Sequence, residues 1–387
     1  MAAMAAVGPV SIDMYLPGFP AIEREFGVRG VETTMAAYLV GLAISQLFYG
    51  PLSDHFGRKP PLYFAFALYS LGAVGCALAT SIPALTLMRV VQGLGGSAGF
   101  VIGRAIVRDR CEPHEAARAF SLLMMIVALG PVLAPVAGGF VVTYWGWRAT
   151  FVFQVAMGLA LLAATHFALR ESRPEWSVAP LNFTNVFRAY LRLGMDRTLV
   201  GYSLVGGFGM GALFSYVTGA PTVLTERYEL SPEQFGLVTG LNGFAFMAAS
   251  RLNIIALRTL GPREILARYV WTPLLLSTAL LLLTTLFWPV PLWAVVALQL
   301  SFFVAVGRVT PHVSALALAP HGAEAGAASA LMGALQSVVS MATGFAVAVL
   351  NDGTVGTLAA IMTVGAVLML GSYWWAKAGT RQPQLQA

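Results

Sequence analysis

Charge is what this sequence has least of. Asp, Glu, Lys and Arg make up 10% of its 387 residues, against about 25% in soluble domains. Hydrophobic residues make up 58%, and mean hydropathy is +0.75. The shortage runs along the whole chain, which excludes a soluble globular protein and makes lipid the main solvent. Cysteine is nearly absent. Cys76 and Cys111 alone exclude a disulfide framework or a zinc cluster, and no cofactor or metal is expected. No Gly-rich phosphate loop ending in lysine is present, so ATP is not the energy source. No grouping of His, Asp and Glu falls inside an apolar run, which speaks against a membrane enzyme. No soluble signalling domain supports a sensor, and no signal-peptide-like run stands apart. Lysine is scarce, 2 against 21 arginines, a bias of genome composition and not of chemistry.

What is present is a series of continuous apolar runs about twenty residues long. Only helices and closed barrels satisfy every backbone polar group in lipid. A barrel would alternate apolar and polar positions, whereas these runs have helix length. Spans are expected near 3–22, 33–51, 61–80, 84–107, 118–142, 148–169, 198–222, 235–257, 268–288, 291–315, 325–349 and 355–376. The first opens with no basic tail, which suggests a late start or a shortened segment. One set of loops holds fifteen basic residues and the opposite set four, Arg24, Arg29, Arg148 and Arg227. That bias puts both termini in the cytoplasm. It also explains the net charge of +6 without nucleic acid. The polar stretch 170–197 contains Pro174, Pro180 and Asn182, with 183–193 a candidate amphipathic surface helix. It divides the chain into bundles at 1–169 and 198–387. The halves echo each other: Pro17 ends the first span as Pro221 ends the seventh, and Asp54-x-x-Gly57-Arg58 matches the position of Arg258-x-x-Gly261. Paired six-helix halves place a transport site between them.

Four runs carry chemistry. Gly50-Pro51-Leu52-Ser53-Asp54-His55-Phe56-Gly57-Arg58-Lys59 combines a glycine turn with a charge pair. It is similar to the loop 2–3 signature of the major facilitator superfamily, whose aspartate and arginine form a latch during alternating access. Arg89 to Gly96 contains an arginine within a span, at a cost of roughly 2.5–3.5 kcal/mol. Either it snorkels outward or it acts, and Gln92 lies one turn along the same face. The run resembles the superfamily's span-four motif, whose arginine takes part in proton transfer. Gly130-Pro131 through Pro135 to Gly138-Gly139 bends its helix and lets another pack against the bend. It resembles the antiporter motif of drug exporters, a seal against proton leak. Asp13 is the one acid well inside any span. Pro17, four residues on, has no N–H to give its carbonyl, leaving a polar notch. Burial and a nearby Arg89 act on the carboxyl in opposite directions. Either the two form a permanent staple or they exchange protons.

Asp13-Met14-Tyr15-Leu16-Pro17 resembles the first span of the bicyclomycin and chloramphenicol resistance (Bcr/CflA) exporters. Ala105 to Asp109, Gly146-Trp147-Arg148-Ala149-Thr150-Phe151, Gly219-Ala220-Pro221 and Gly326 to Leu331 extend the likeness over nearly the whole chain. The resemblance implies an all-α membrane protein of about twelve helices that exports varied drugs in exchange for protons across the bacterial inner membrane. Asp13 and Arg89 carry the coupling. Tyr15, Tyr38, Gln92, Phe214 and Asn242 are the expected drug contacts, although packing is the plainer role for any one aromatic. His312 stands where asparagine is expected after Pro311. Arg104, Arg251 and Arg308 are expected to snorkel. The expected partners are a small-molecule drug, protons and the bilayer, with the chain a monomer. An importer or exporter of a sugar or organic acid on the same fold is the alternative.

Overall fold

The computed structural model describes residues 2–110, 113–172, 183–287, 289–350 and 352–379. Pro174, Pro180 and Asn182 of the expected linker lie outside them. Every regular element among the described residues is helical. Among the described residues, nine helical stretches are long and apolar enough to cross a membrane, starting with α4 (Glu32–Phe56) and α5 (Lys59–Ala77). Three further helical stretches occupy the other expected spans. The first is broken into α1 (Ala2–Ala5), α2 (Val7–Asp13) and α3 (Phe19–Phe26). The others are α8 (Pro113–Trp145) and α12 (Pro232–Ala256).

Two further expected spans are interrupted. The span expected at 84–107 is α6 (Ile82–Gly96) followed by α7 (Ala98–Arg110). The one expected at 268–288 starts earlier, as α13 (Pro262–Tyr269) followed by α14 (Thr272–Leu286). The remainder are α9 (Trp147–Phe167), α11 (Arg197–Arg227), α15 (Leu292–Leu318), α16 (Ala325–Leu350) and α17 (Val355–Gly379). The chain forms two compact units, one of 1–183 with 230–240, the other of 184–229 with 241–387.

The symmetry between Pro17 and Pro221 does not hold locally. At Pro17 the chain leaves α-geometry for a 3-10 turn, Leu16–Gly18. Pro221 lies inside the unbroken α11, which runs on to Arg227. A proline removes one hydrogen bond in either case. Near the first, Pro9, Pro17 and Pro20 stand within a dozen residues, and four short pieces replace one helix.

In the first unit, glycines of α5 and α6 set the packing around α6. A Cβ at Gly93 would collide with the carbonyl of Tyr38, and one at Gly72 would lie 2.5 Å from the Gln92 nitrogen. Backbones therefore touch on both flanks of α6, which small residues permit in lipid. Arg89 and Gln92 are carried inward by that contact.

Candidate functional site

Asp13 is the last residue of α2, where the first span breaks. It is 7% exposed, and no side-chain hydrogen bond or ion pair engages it among the described residues. The motif of α8 holds this break in place. A Cβ at Gly138 would strike the carbonyl oxygen of Met14, the residue after Asp13, and one at Gly130 would strike Pro9. Pro131 and Pro135 lie within α8 without interrupting it. Gly139 faces the other way: its Cβ would sit 2.5 Å from the carbonyl of Pro232. The glycines thus give α8 two faces of close approach. One rests on the backbone beside Asp13, the other on the start of α12, within the same unit.

Arg89 does not snorkel; it is 0% exposed. It forms no ion pair with Asp13, so the permanent staple is absent. Its Nη1 donates to Gln92 Oε1 at 2.7 Å, and Gln92 Nε2 donates to Gln154 Oε1 at 2.6 Å. The guanidinium carbon stands 4.3 Å from the Tyr38 ring centre, 4.9 Å from Tyr15 and 5.9 Å from Phe151. Nε and Nη2 are buried without a hydrogen-bond partner. A lone buried cation is costly. Ring faces offset part of that cost, up to about 2 kcal/mol per desolvated contact. Tyr15 is itself fixed, its hydroxyl 2.7 Å from that of Thr34, and Ser11 joins Tyr69 at 2.7 Å. The cage has a rigid wall and two free donor edges.

The loop between α4 and α5 forms a third constellation. Arg58 is 3% exposed. Its Nε and Nη2 donate to both oxygens of Asp109 at 2.8 and 3.2 Å, and its Nη1 to Asp54 at 2.5 Å and Ser53 at 2.8 Å. Gly57 turns the chain at φ +91°, a conformation that suits glycine. The turn presents the amides of Arg58 and Lys59 to the Glu171 carboxylate at 2.9 and 3.1 Å. Gly50 meets nothing within 4 Å of a would-be Cβ and takes no visible part in this packing.

The expected drug contacts fall into two groups. Tyr15, Tyr38 and Gln92 are 0% exposed and surround Arg89. Phe214 and Asn242 lie in the second unit, and the amide of Asn242 is buried with neither atom partnered. His312 is 3% exposed with an unpartnered Nε2. Of the three expected snorkelling arginines, Arg251 is exposed. Arg104 covers the Phe100 ring at 4.2 Å and Arg308 the Tyr269 ring at 3.6 Å.

Sequence reasoning missed several partners. Phe151 and Gln154 complete the arginine cage from α9, and Gln154 is a lone amide in an apolar run, a signal that was legible. Glu32 opens α4 and is 4% exposed, so Asp13 is not the only buried acid of its unit. Asp109 and Glu171 close the Arg58 network. In the second unit, Gln299 is 0% exposed with both amide atoms unpartnered.

A helical membrane fold with a broken first span, a buried carboxyl and a caged arginine marks a polytopic membrane protein with intramembrane charges of the kind that transport uses. Its relatives agree. The sequence model of the Major Facilitator Superfamily matches residues 1–347, and the chain belongs to that superfamily of transporters. It is 35% identical to an MFS-type transporter of Bacillus subtilis, YdgK, over 94% of this chain and 91% of that one. It is 29% identical to the bicyclomycin resistance protein homolog of Haemophilus influenzae, over 95% and 92% of the two chains. It is 28% identical to multidrug resistance protein D of Escherichia coli over the same shares. Among solved structures, a D-xylose-proton symporter superposes with a TM-score of 0.71 at 17% identity, covering 95% of each chain. At that identity the likeness shows the fold alone.

Proposed function

We propose that the chain exports chemically varied drugs in exchange for protons. Alternating access of a six-helix bundle at 1–169 against one at 198–387, joined through 170–197, moves the cargo. The carrier works as a monomer in the bacterial inner membrane with both termini in the cytoplasm, as the loop charges favour. Drug-resistance relatives aligned over nearly the whole chain support the cargo class. The observation that carries proton coupling is Asp13, a buried carboxyl at a helix break with no fixed counter-charge. Such a group is free to change protonation, and an acid inside a membrane is retained for that kind of task.

In this cycle a proton from outside neutralises Asp13, the drug leaves, and the protonated carrier turns inward. A drug arriving from the cytoplasm then favours release of the proton. Arg89 keeps a constant positive field near the break while its cage prevents it from pairing with Asp13 and quenching it. Tyr15, Tyr38, Gln92, Phe214 and Asn242 supply drug contacts when the bundles open. The Asp54–Arg58–Asp109 network is the latch, and the α8 motif is the seal. One proton per drug follows from one exchanging carboxyl. An uncharged drug is then driven by voltage as well as pH, at about 2.3 kcal/mol per 100 mV for each charge moved.

Everted membrane vesicles test the direction and the coupling together. An imposed gradient, acid inside, should drive accumulation of a fluorescent drug, and nigericin should abolish it. Uptake of a sugar or organic acid into right-side-out cells, with no drug accumulation in everted vesicles, would sink the proposal.

A further inference from the structure

We infer that the amphipathic helix α10 (Phe183–Gly194) and the adjoining end of α17 form a docking surface for the headgroups of anionic phospholipids. Leu193 anchors α10 in the core of the second unit. Facing away are Phe187, Leu191 and Met195, which are 63%, 56% and 86% exposed. Their interval of four residues places them in one stripe. Arg188 and Arg192, also exposed, form the next stripe, and Arg192 is ion-paired with Glu324.

Three large apolar side chains bare on one stripe need a cover, and the connection to α11 says what it is. Asp196 caps α11, accepting from the Leu199 amide at 2.8 Å. The apolar stripe therefore ends beside the first turn of a membrane-spanning helix, at headgroup depth. The neighbouring side chains have the chemistry of that depth. Arg197 donates Nε to the carbonyl of Trp375 at 3.0 Å, with its guanidinium carbon 5.2 Å from that ring. Lys377 Nζ is 5.1 Å from the half-exposed Trp374 ring. Tryptophan with flanking cations marks the membrane–water boundary. An apolar stripe beside a basic one is the pattern of a helix lying in that boundary.

Charge selects the lipid. Among the described residues of this end, the cations Arg188, Arg192 and Arg197 outnumber the carboxylates Glu324, which pairs with Arg192, and Asp196, which caps α11. The surplus favours a phosphodiester without its own cation, and guanidinium groups bind phosphate oxygens in pairs. A zwitterionic headgroup brings a competing ammonium. This surface is independent of what the transporter carries, so its test needs no transport.

The full chain, with Cys76→Ser and Cys111→Ser, takes a nitroxide at Leu191→Cys and is placed in nanodiscs. In phosphatidylglycerol discs the label should be shielded from a water-soluble nickel chelate and open to oxygen. In phosphatidylcholine discs the chelate should reach it at least threefold better. Arg188→Gln with Arg192→Gln should remove the difference between lipids. The detergent-solubilised protein should melt at a higher temperature on adding phosphatidylglycerol than on adding phosphatidylcholine, and less so in the double variant. Equal chelate access in both lipids, or a lipid difference that survives the double variant, would overturn the inference.

Discussion

The two units bury different chemistry. The first buries charge: Asp13, Glu32, Arg58 and Arg89 are each at most 7% exposed. The second buries neutral polarity: Tyr216, Asn242, Asn253 and Gln299, with no buried Asp, Glu, Lys or Arg among its described residues. Similar numbers of helices are thus built for different work. A group that changes charge must sit where the change can be felt, and a carboxyl in low dielectric responds strongly to its surroundings. Amides and hydroxyls stay neutral around physiological pH and offer donors and acceptors to a ligand there; the buried titratable group of this unit is a histidine, His312. In the proposed cycle the first half handles the proton, and the second half contributes recognition.

The sharpest way to break that division is Asp13→Asn. Export driven by a pH difference should fall at least a hundredfold in everted vesicles, with the protein still inserted. Unchanged pH-driven export would move proton handling elsewhere, and Glu32→Gln would be examined next. Arg89→Lys comes second. Lysine keeps the charge but loses the planar fork and the stacking on Tyr15 and Tyr38. A loss of about 2 kcal/mol of cage interaction corresponds to roughly a thirtyfold slower cycle, read as initial rates in proteoliposomes. The mirror experiment is Gln299→Leu in the second unit. It should alter which drugs are carried, with apparent KM shifts of about tenfold for some, while the pH dependence of turnover stays that of the wild type. A shifted pH profile in that variant would erase the contrast between the halves.

Two smaller effects concern the rims of the first unit. Asp54→Asn removes one of the two carboxylates on Arg58 and leaves Asp109, so turnover should fall about threefold with drug binding intact, measured by tryptophan quenching. Glu25 lies outside the spans and accepts from Arg148 Nη1 at 2.7 Å and Trp147 Nε1 at 2.8 Å. These two partners hold its carboxyl below the usual range. A depressed carboxylate adds stability above its unfolded pKa, and that contribution disappears as pH falls through the lower folded value. Glu25→Gln should therefore flatten the loss of thermal stability on acidification below about pH 4. Because the pair is well exposed, the change should be a degree or two in melting temperature.

Much of this was legible before any coordinates. Apolar run length located the helices, since in lipid nearly every span must be a continuous helix. Asp13, Arg89 and the Arg58 turn stood out because charge is so rare in this chain that each instance demands a reason. The missing pieces are those that only packing decides. That Arg89 turns toward Tyr15, Tyr38 and Phe151 instead of Asp13 depends on backbone contacts at Gly72 and Gly93 that no linear pattern displays. Pro17 pointed to a free carbonyl at Asp13 but not to the break of the first span into short pieces, and the same reasoning ended the seventh span at Pro221, where α11 runs on to Arg227. There a single proline is absorbed within a long, well-packed helix. Gln299 passed unnoticed because neutral polar residues are common in spans, and only burial without partners singles it out.

The central claim is that Asp13 trades its proton for the drug. In weakly buffered detergent solution near neutral pH, drug added to purified wild-type protein should release protons, seen with a pH-sensitive dye, in proportion to drug bound. Asp13→Asn should bind drug and release none. Equal proton release from wild type and Asp13→Asn would contradict the account.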